Sequence, residues 1–120
     1  GHPEMEEMLE VSHNVLGRAQ LDVGDSENAI ENLEAAAKIC EKTENATGIL
    51  VSHYFNLVLA YYKTKQYEKA QEYGRKILEI ELEENGRGSQ WINDTLEFLE
   101  LIYKMMNQEK GFKELEAIYK

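Results

Sequence analysis

The chain has one cysteine and one proline in 120 residues, and no long apolar run. Each scarcity closes off a class of protein. A lone thiol, Cys40, forms neither an internal disulfide nor a thiolate metal cage, so nothing in the chain depends on an oxidising compartment. A cytoplasmic location is the expectation. One proline and eight glycines leave little room for long loops or disorder, and most residues are expected to be helical. The longest apolar stretches run only a few residues, as in Val58 to Tyr62, against the ~20 needed to span a bilayer. Acidic residues outnumber basic ones 23 to 13, and the net charge of −10 repels phosphate backbones and anionic lipid. Neither nucleic acid nor a membrane is an expected partner.

Catalytic signatures are missing too. There is no glycine-rich phosphate loop, no His-Glu-x-x-His, no Gly-x-Ser-x-Gly and no cluster of metal ligands along the chain. No catalytic residue, metal or cofactor is expected. His13 and His53, about one repeat apart, read as ordinary helix histidines, because a metal site wants three or four convergent ligands. Cys40 sits between apolar neighbours in "EAAAKICEK" and reads as a buried, inert thiol. The acids of Glu79 to Asn85 read as a solvated face. "NAT" at Asn45 and "NDT" at Asn93 match the glycosylation acceptor pattern, as short tripeptides do by chance. The N-terminus carries acids where a signal peptide would be basic and then apolar, and residues 1–3 look like a tag remnant.

What the chain does have is a period. "AYYKTKQYEKAQEY" from Ala60 is echoed by "LIYKMMNQEKGFKEL" from Leu101, and Tyr62 to Tyr103 and Glu68 to Glu109 are the same 41-residue step. Carried backwards, the step links Ala70 to Ala29; carried forwards, it reaches Gly111. Leu16, Leu57 and Phe98 then share one phase, as do Leu33, Gly74 and Leu115, and Ala36, Ile77 and Ile118. Within each unit the apolar residues recur with helical spacing, for example Leu33, Ala36, Ala37 and Cys40. Gly24 is placed to end one helix in a left-handed conformation, with Asp25 or Ser26 capping the next. Asn45 or Gly86 can close a helix at the longer breaks, and Thr47 or Ser89 can cap its successor. Six helices are predicted, over 4–22, 26–43, 47–64, 67–84, 89–106 and 108–120, as one domain of three units, 4–43, 47–84 and 89–120.

These residues resemble the tetratricopeptide repeat. In "NVLGRAQLDVGDSENAIENLEAAAKI", Leu16-Gly17, Gly24-Asp25, Ala29, Leu33 and Ala36 fall where that motif places its packing residues. The second unit matches through Leu57, Ala60-Tyr61, Tyr67, Ala70 and Ile77. The third keeps Phe98, Tyr103, Leu115 and Ile118 but has Gly111 for the motif's alanine and lacks the turn glycine. The resemblance implies an all-α fold of three stacked helix-turn-helix repeats forming a short right-handed solenoid. A 41-residue period exceeds the standard ~34, so each helix pair is longer, as in Pins/LGN-type adaptors, kinesin light chains and Rap-type peptide receptors.

The resemblance also implies a protein or peptide partner held on a concave face made by the first helix of each unit. It would place Asn14, Arg18 and Leu21 there from unit one, Ser52, Phe55, Asn56, Leu59 and Tyr62 from unit two, and Leu96, Glu100 and Tyr103 from unit three. Phe55, Leu59 and Tyr62 line one helix face and form the expected apolar anchor, with Asn14, Arg18 and Asn56 as hydrogen-bonding neighbours. The competing reading buries that stripe between helices. The lysine-asparagine clamp some relatives use on a C-terminal carboxylate is matched only at Asn56, which disfavours chaperone tails. Two roles stay open: a scaffold or peptide-capture module, or the sensing region of a bacterial regulator. With Leu115 and Ile118 near its end, the chain is also expected to be able to self-associate through that end.

Overall fold

A computed structural model describes residues 3–43 and 46–120. Six α-helices account for most of them: α1 (Pro3–Asp22), α2 (Ser26–Glu41), α3 (Thr47–Lys63), α4 (Tyr67–Asn85), α5 (Gln90–Met105) and α6 (Glu109–Tyr119). Each end falls within two residues of its expected position, and no strand occurs among the described residues. Gly1, His2 and Asn45, with the roles proposed for them, lie outside the described residues. Consecutive helices pack as antiparallel neighbours, and the shortest dimension of the molecule, 18 Å, is that of two helix layers. First helices α1, α3 and α5 make one layer, and second helices α2, α4 and α6 the other. The result is a helical repeat solenoid.

The tight turn inside each unit is built three times with the same bonds. Gly24, Lys65 and Asn107 all take positive φ, at 87°, 61° and 57°. In each case the next amide reaches back five residues: Asp25 to the carbonyl of Gln20, Gln66 to that of Tyr61, and Gln108 to that of Tyr103, each at 2.8 Å. This satisfies a helix-end carbonyl that would otherwise be orphaned. The glycine is thus not required in every unit; Asn107 tolerates the left-handed region, and Lys65 accepts its strain.

These turns correct the expected phase of the third unit. From Gln66 to Gln108 the step is 42 residues, not the 41 that separates Asp25 from Gln66. Counted back along the unbroken helices, Leu99 takes the place of Leu57 and Tyr103 that of Tyr61, all four buried. Counted forwards, Phe112 replaces Ala70, and Tyr119 replaces Ile77. The residues expected to complete the skeleton, Phe98, Gly111, Leu115 and Ile118, each stand one position early. Ile118 is accordingly exposed and Leu115 only half-buried.

Small residues set the closest approaches. Ala29 and Ala70 are fully buried. A Cβ built on Gly17 would lie 2.9 Å from Leu33 Cγ, and one on Gly74 would lie 2.7 Å from Leu99 Cδ2. The second contact brings α4 against the next unit's α5. The expected side-chain caps are not made: the Asp25 carboxylate accepts from Asn28 at 2.9 and 3.1 Å, and Ser89 donates to the buried Glu81.

Tyrosines tie the second helices together. Glu34 of α2 accepts from Tyr61 of α3 at 2.7 Å and from Tyr73 of α4 at 2.8 and 2.9 Å, while Tyr54 donates to Glu41. Tyr61 and Tyr73 stack nearly parallel, and the Lys76 ammonium lies over the rings of Tyr54 and Tyr73 at 5.5 and 5.0 Å. Burial first, then the facing carboxylates, raise the ionisation of all three phenols above its ordinary value.

The ends of the array differ. On α1, Met5, Met8, Leu9, Val11, Val15 and Leu16 are exposed, so Leu16 does not serve the core position expected of it. At the other end, a recess of roughly 240 Å³ between α5 and α6 is lined chiefly by Glu100, Lys104, Glu109, Lys113 and Glu116. The larger bare apolar surface is therefore at the first helix.

Candidate partner-binding site

The corrected phase aligns the first helices into rows. One row holds Asn14, Phe55 and Glu97, the next Arg18, Leu59 and Leu101, and the third Leu21, Tyr62 and Lys104. Within a helix, members of successive rows stand four and three residues apart and so share one face. Leu21 is the only one of the nine that is buried; the rest keep some solvent contact.

Phe55, Leu59 and Tyr62 are half-buried, between the two readings the sequence allows. Their packing is aromatic and crosses the unit boundary. Phe55 meets Trp91 and Phe98 edge-on at 5.5 and 5.8 Å, and Tyr62 meets Phe98 edge-on at 5.7 Å and Tyr67 at 6.0 Å. Such contacts hold ring orientations better than aliphatic packing does, each contributing about 0.5 to 1.5 kcal/mol beyond area burial. A recess of roughly 400 Å³ opens beside Tyr67, lined by Lys65, Gln66, Glu68, Lys69 and Met106.

The polar candidates are less engaged. Arg18 is exposed and makes no ion pair among the described residues. The Asn14 side-chain oxygen is buried without a partner among the described residues. Asn56 is half-buried, and Ser52 likewise. No hydrogen bond joins Asn14 or Arg18 to the aromatic row. Third-unit candidates are displaced by the one-residue step: Leu96 and Tyr103 are buried in the core. Tyr103 packs its ring on Phe112 at 5.9 Å, and its hydroxyl accepts from Arg75 at 3.3 Å. Glu97, Leu101 and Lys104 stand where Leu96, Glu100 and Tyr103 were expected.

Trp91 is the residue that sequence reasoning missed. Its seven-residue spacing from Phe98, two turns along one helix face, is the signal that would have found it. The histidines do not meet: His13 donates from Nδ1 to Asn32 at 2.9 Å, and His53 from Nε2 to Glu10 at 2.9 Å. No described helix is long and apolar enough to cross a membrane.

Comparison with curated proteins and with solved structures finds no match. A family model, tetratricopeptide repeat, matches residues 7–83, which span most of α1, all of α2 and α3 and nearly all of α4, without singling out any lengthened-repeat subfamily. The third unit, with its shifted phase, lies beyond the match. Repeated turns, buried alanines at matching places and a two-layer stack agree with that model, and the chain belongs to the tetratricopeptide repeat family, whose repeats are non-catalytic modules of protein–protein interaction.

Proposed function

We propose that the face made by α1, α3 and α5 captures an extended or helical segment of a partner protein, with Phe55, Leu59 and Tyr62 as its apolar anchor. The observation that carries this reading is the half-buried aromatic row across the α3–α5 boundary. Its rings are held by one another yet keep solvent-facing surface, so a ligand gains burial without paying to order them. Asn14, Arg18 and Asn56 offer hydrogen bonds beside the row, and Glu97 and Lys104 border it on α5. Tyr103 is not part of this surface. A net charge of −10 favours a partner segment with basic residues flanking an apolar side chain.

The test is partner capture by intact protein and by the Leu59→Ala, Tyr62→Ala double variant, with melting curves run on both. A fully buried leucine truncated to alanine costs about 2 to 5 kcal/mol of stability. A half-buried one costs less, while loss of the anchor removes most of the recovery. Full recovery by a markedly destabilised double variant would show that these side chains serve the fold alone. A variant altered on the opposite layer, Glu83→Ala, is expected to recover the partner as intact protein does.

A further inference from the structure

Where α1, α2 and α3 converge, the fold assembles three metal-binding side chains that lie far apart in the sequence. Glu10 comes from α1, Cys40 from α2 and His53 from α3, and one ligand atom of each lies within 4.8 Å of those of the other two. Cys40 and His53 are almost fully buried, and the Glu10 side chain is 13% exposed. We propose that Glu10, Cys40 and His53 form a binding site for a divalent transition metal of the zinc class, pinning the first repeat to the second.

The donor set argues for that class. Thiolate, imidazole and carboxylate together suit zinc, whereas calcium and magnesium take oxygen ligands alone. Three protein ligands and one open position is an ordinary zinc arrangement, and the Ala46 carbonyl, 3.6 Å from Cys40 Sγ, borders the site. Charge agrees as well. A thiolate, a carboxylate and a neutral imidazole neutralise a dication, so the occupied site would bury no net charge.

The polar groups at the junction satisfy one another only in part. His53 donates from Nε2 to Glu10, but its Nδ1 is buried with no partner among the described residues. An unpaired polar atom at such depth calls for a physical reason, and an ion that reorders the three side chains is one. Burial, with the Glu10 charge, pushes the Cys40 thiol up to about 12, so it is no nucleophile. Coordination would replace the S–H bond by an S–metal bond and release the proton to solvent, which makes binding tighten as pH rises. Access runs through Glu10, the most exposed of the three, on a helix that meets α3 sparingly.

Cobalt(II) is the probe, because a thiolate ligand gives it a charge-transfer absorption that oxygen and nitrogen ligands do not. Titration of the folded protein should give that band, saturating at one ion per chain and displaced by zinc. With Cys40 the sole cysteine, the band must vanish in Cys40→Ala; Glu10→Gln and His53→Gln should weaken it, with helicity checked by circular dichroism. Zinc should raise the melting temperature of the intact protein and not that of Glu10→Gln. Absence of the band in folded, reduced intact protein would overturn the proposal even if every variant failed to fold. Cobalt binding without it would mean that surface acids and other histidines hold the ion.

Discussion

Two glycines, one substitution each, separate tight interhelical packing from simple helix propensity. In α4, the Cβ of Gly74→Ala would lie 2.7 Å from Leu99 Cδ2 and 3.1 Å from its Cγ and Cδ1. Leu99 is fully buried, so it has no open space to move into. In α6, the Cβ of Gly111→Ala would meet only the Tyr103 ring, at 3.6 and 3.7 Å, an ordinary contact. Alanine gains about 1 kcal/mol over glycine in either helix. Overpacking costs about 1 to 3 kcal/mol. Gly111→Ala should therefore stabilise by nearly the full propensity term, while Gly74→Ala should come out neutral to about 2 kcal/mol destabilised. Urea titrations of both variants beside the parent give the difference directly, as midpoint shifts at unchanged slope. At about 4 °C per kcal/mol for a chain of this size, the two melting temperatures should be several degrees apart. If Gly74→Ala proved as stabilising as Gly111→Ala, the close approach of α4 to α5 would be refuted.

Ala70→Leu should cost about 1 to 3 kcal/mol, because the alanine is fully enclosed; an unchanged thermal midpoint would contradict that enclosure. Glu34→Ala strands the hydroxyls of Tyr61 and Tyr73 and should cost about 1 to 3 kcal/mol, with Glu34→Gln losing less because it keeps an acceptor; equal losses from the two would argue against the hydrogen bonds. Alkaline pH should destabilise the fold. Cys40, near 9 in the unfolded chain and about 12 when folded, and the raised phenols of Tyr54, Tyr61 and Tyr73 all hold their protons more tightly in the native state. Their contribution is complete below the unfolded values and is lost as pH climbs through the folded ones. Urea midpoints should fall steadily from about pH 9 upward, and a flat or rising profile would reverse the sign of this linkage.

Helices and turns were legible because their signals are local. Helical apolar spacing is written into a few adjacent residues and Gly24 marks the first turn, so even the lengths came out closely, while the left-handed Lys65 and Asn107 carried no such mark. The third unit's phase was not, and the reason is the doublet Tyr61-Tyr62. A step of 41 matches Tyr62 to Tyr103 and Glu68-Lys69 to Glu109-Lys110; a step of 42 matches Leu57 to Leu99, Tyr61 to Tyr103 and Gln66 to Gln108. Identities alone do not separate the two. The turn bonds do, and they favour 42. One residue of error rotates a helix position by about 100°, enough to carry Tyr103 from the open face into the core. The Glu10, Cys40 and His53 cluster was illegible for a different cause. Its members are separated by 30 and 13 residues on three helices, with no ligand spacing for a motif to register.

The two contacts between successive first helices are made of different materials. Between α3 and α5 the contact is aromatic, with Trp91 and Phe98 laid against Phe55 and Tyr62. Counted back by the repeat steps, Trp91 and Phe98 correspond to the exposed Ile49 and half-buried Asn56 on α3, and to the exposed Met8 and Val15 on α1. The same face thus passes from aromatic to mixed to bare. Between α1 and α3 the polar contact is the Glu10–His53 pair at 2.9 Å, which belongs to the proposed metal site. The anchor residues sit at the aromatic boundary, whereas Asn14 and Arg18 sit on α1, which packs chiefly on α2 and reaches α3 through the Glu10–His53 pair, two of the three proposed metal ligands. A ligand that touches only Phe55, Leu59 and Tyr62 should therefore bind alike with and without zinc, and one that also reaches Arg18 should not. Isothermal titration of an identified partner segment, against intact protein and Arg18→Ala, with zinc and with a chelator, measures this directly. Equal zinc dependence in both proteins would show that α1's placement has no part in recognition.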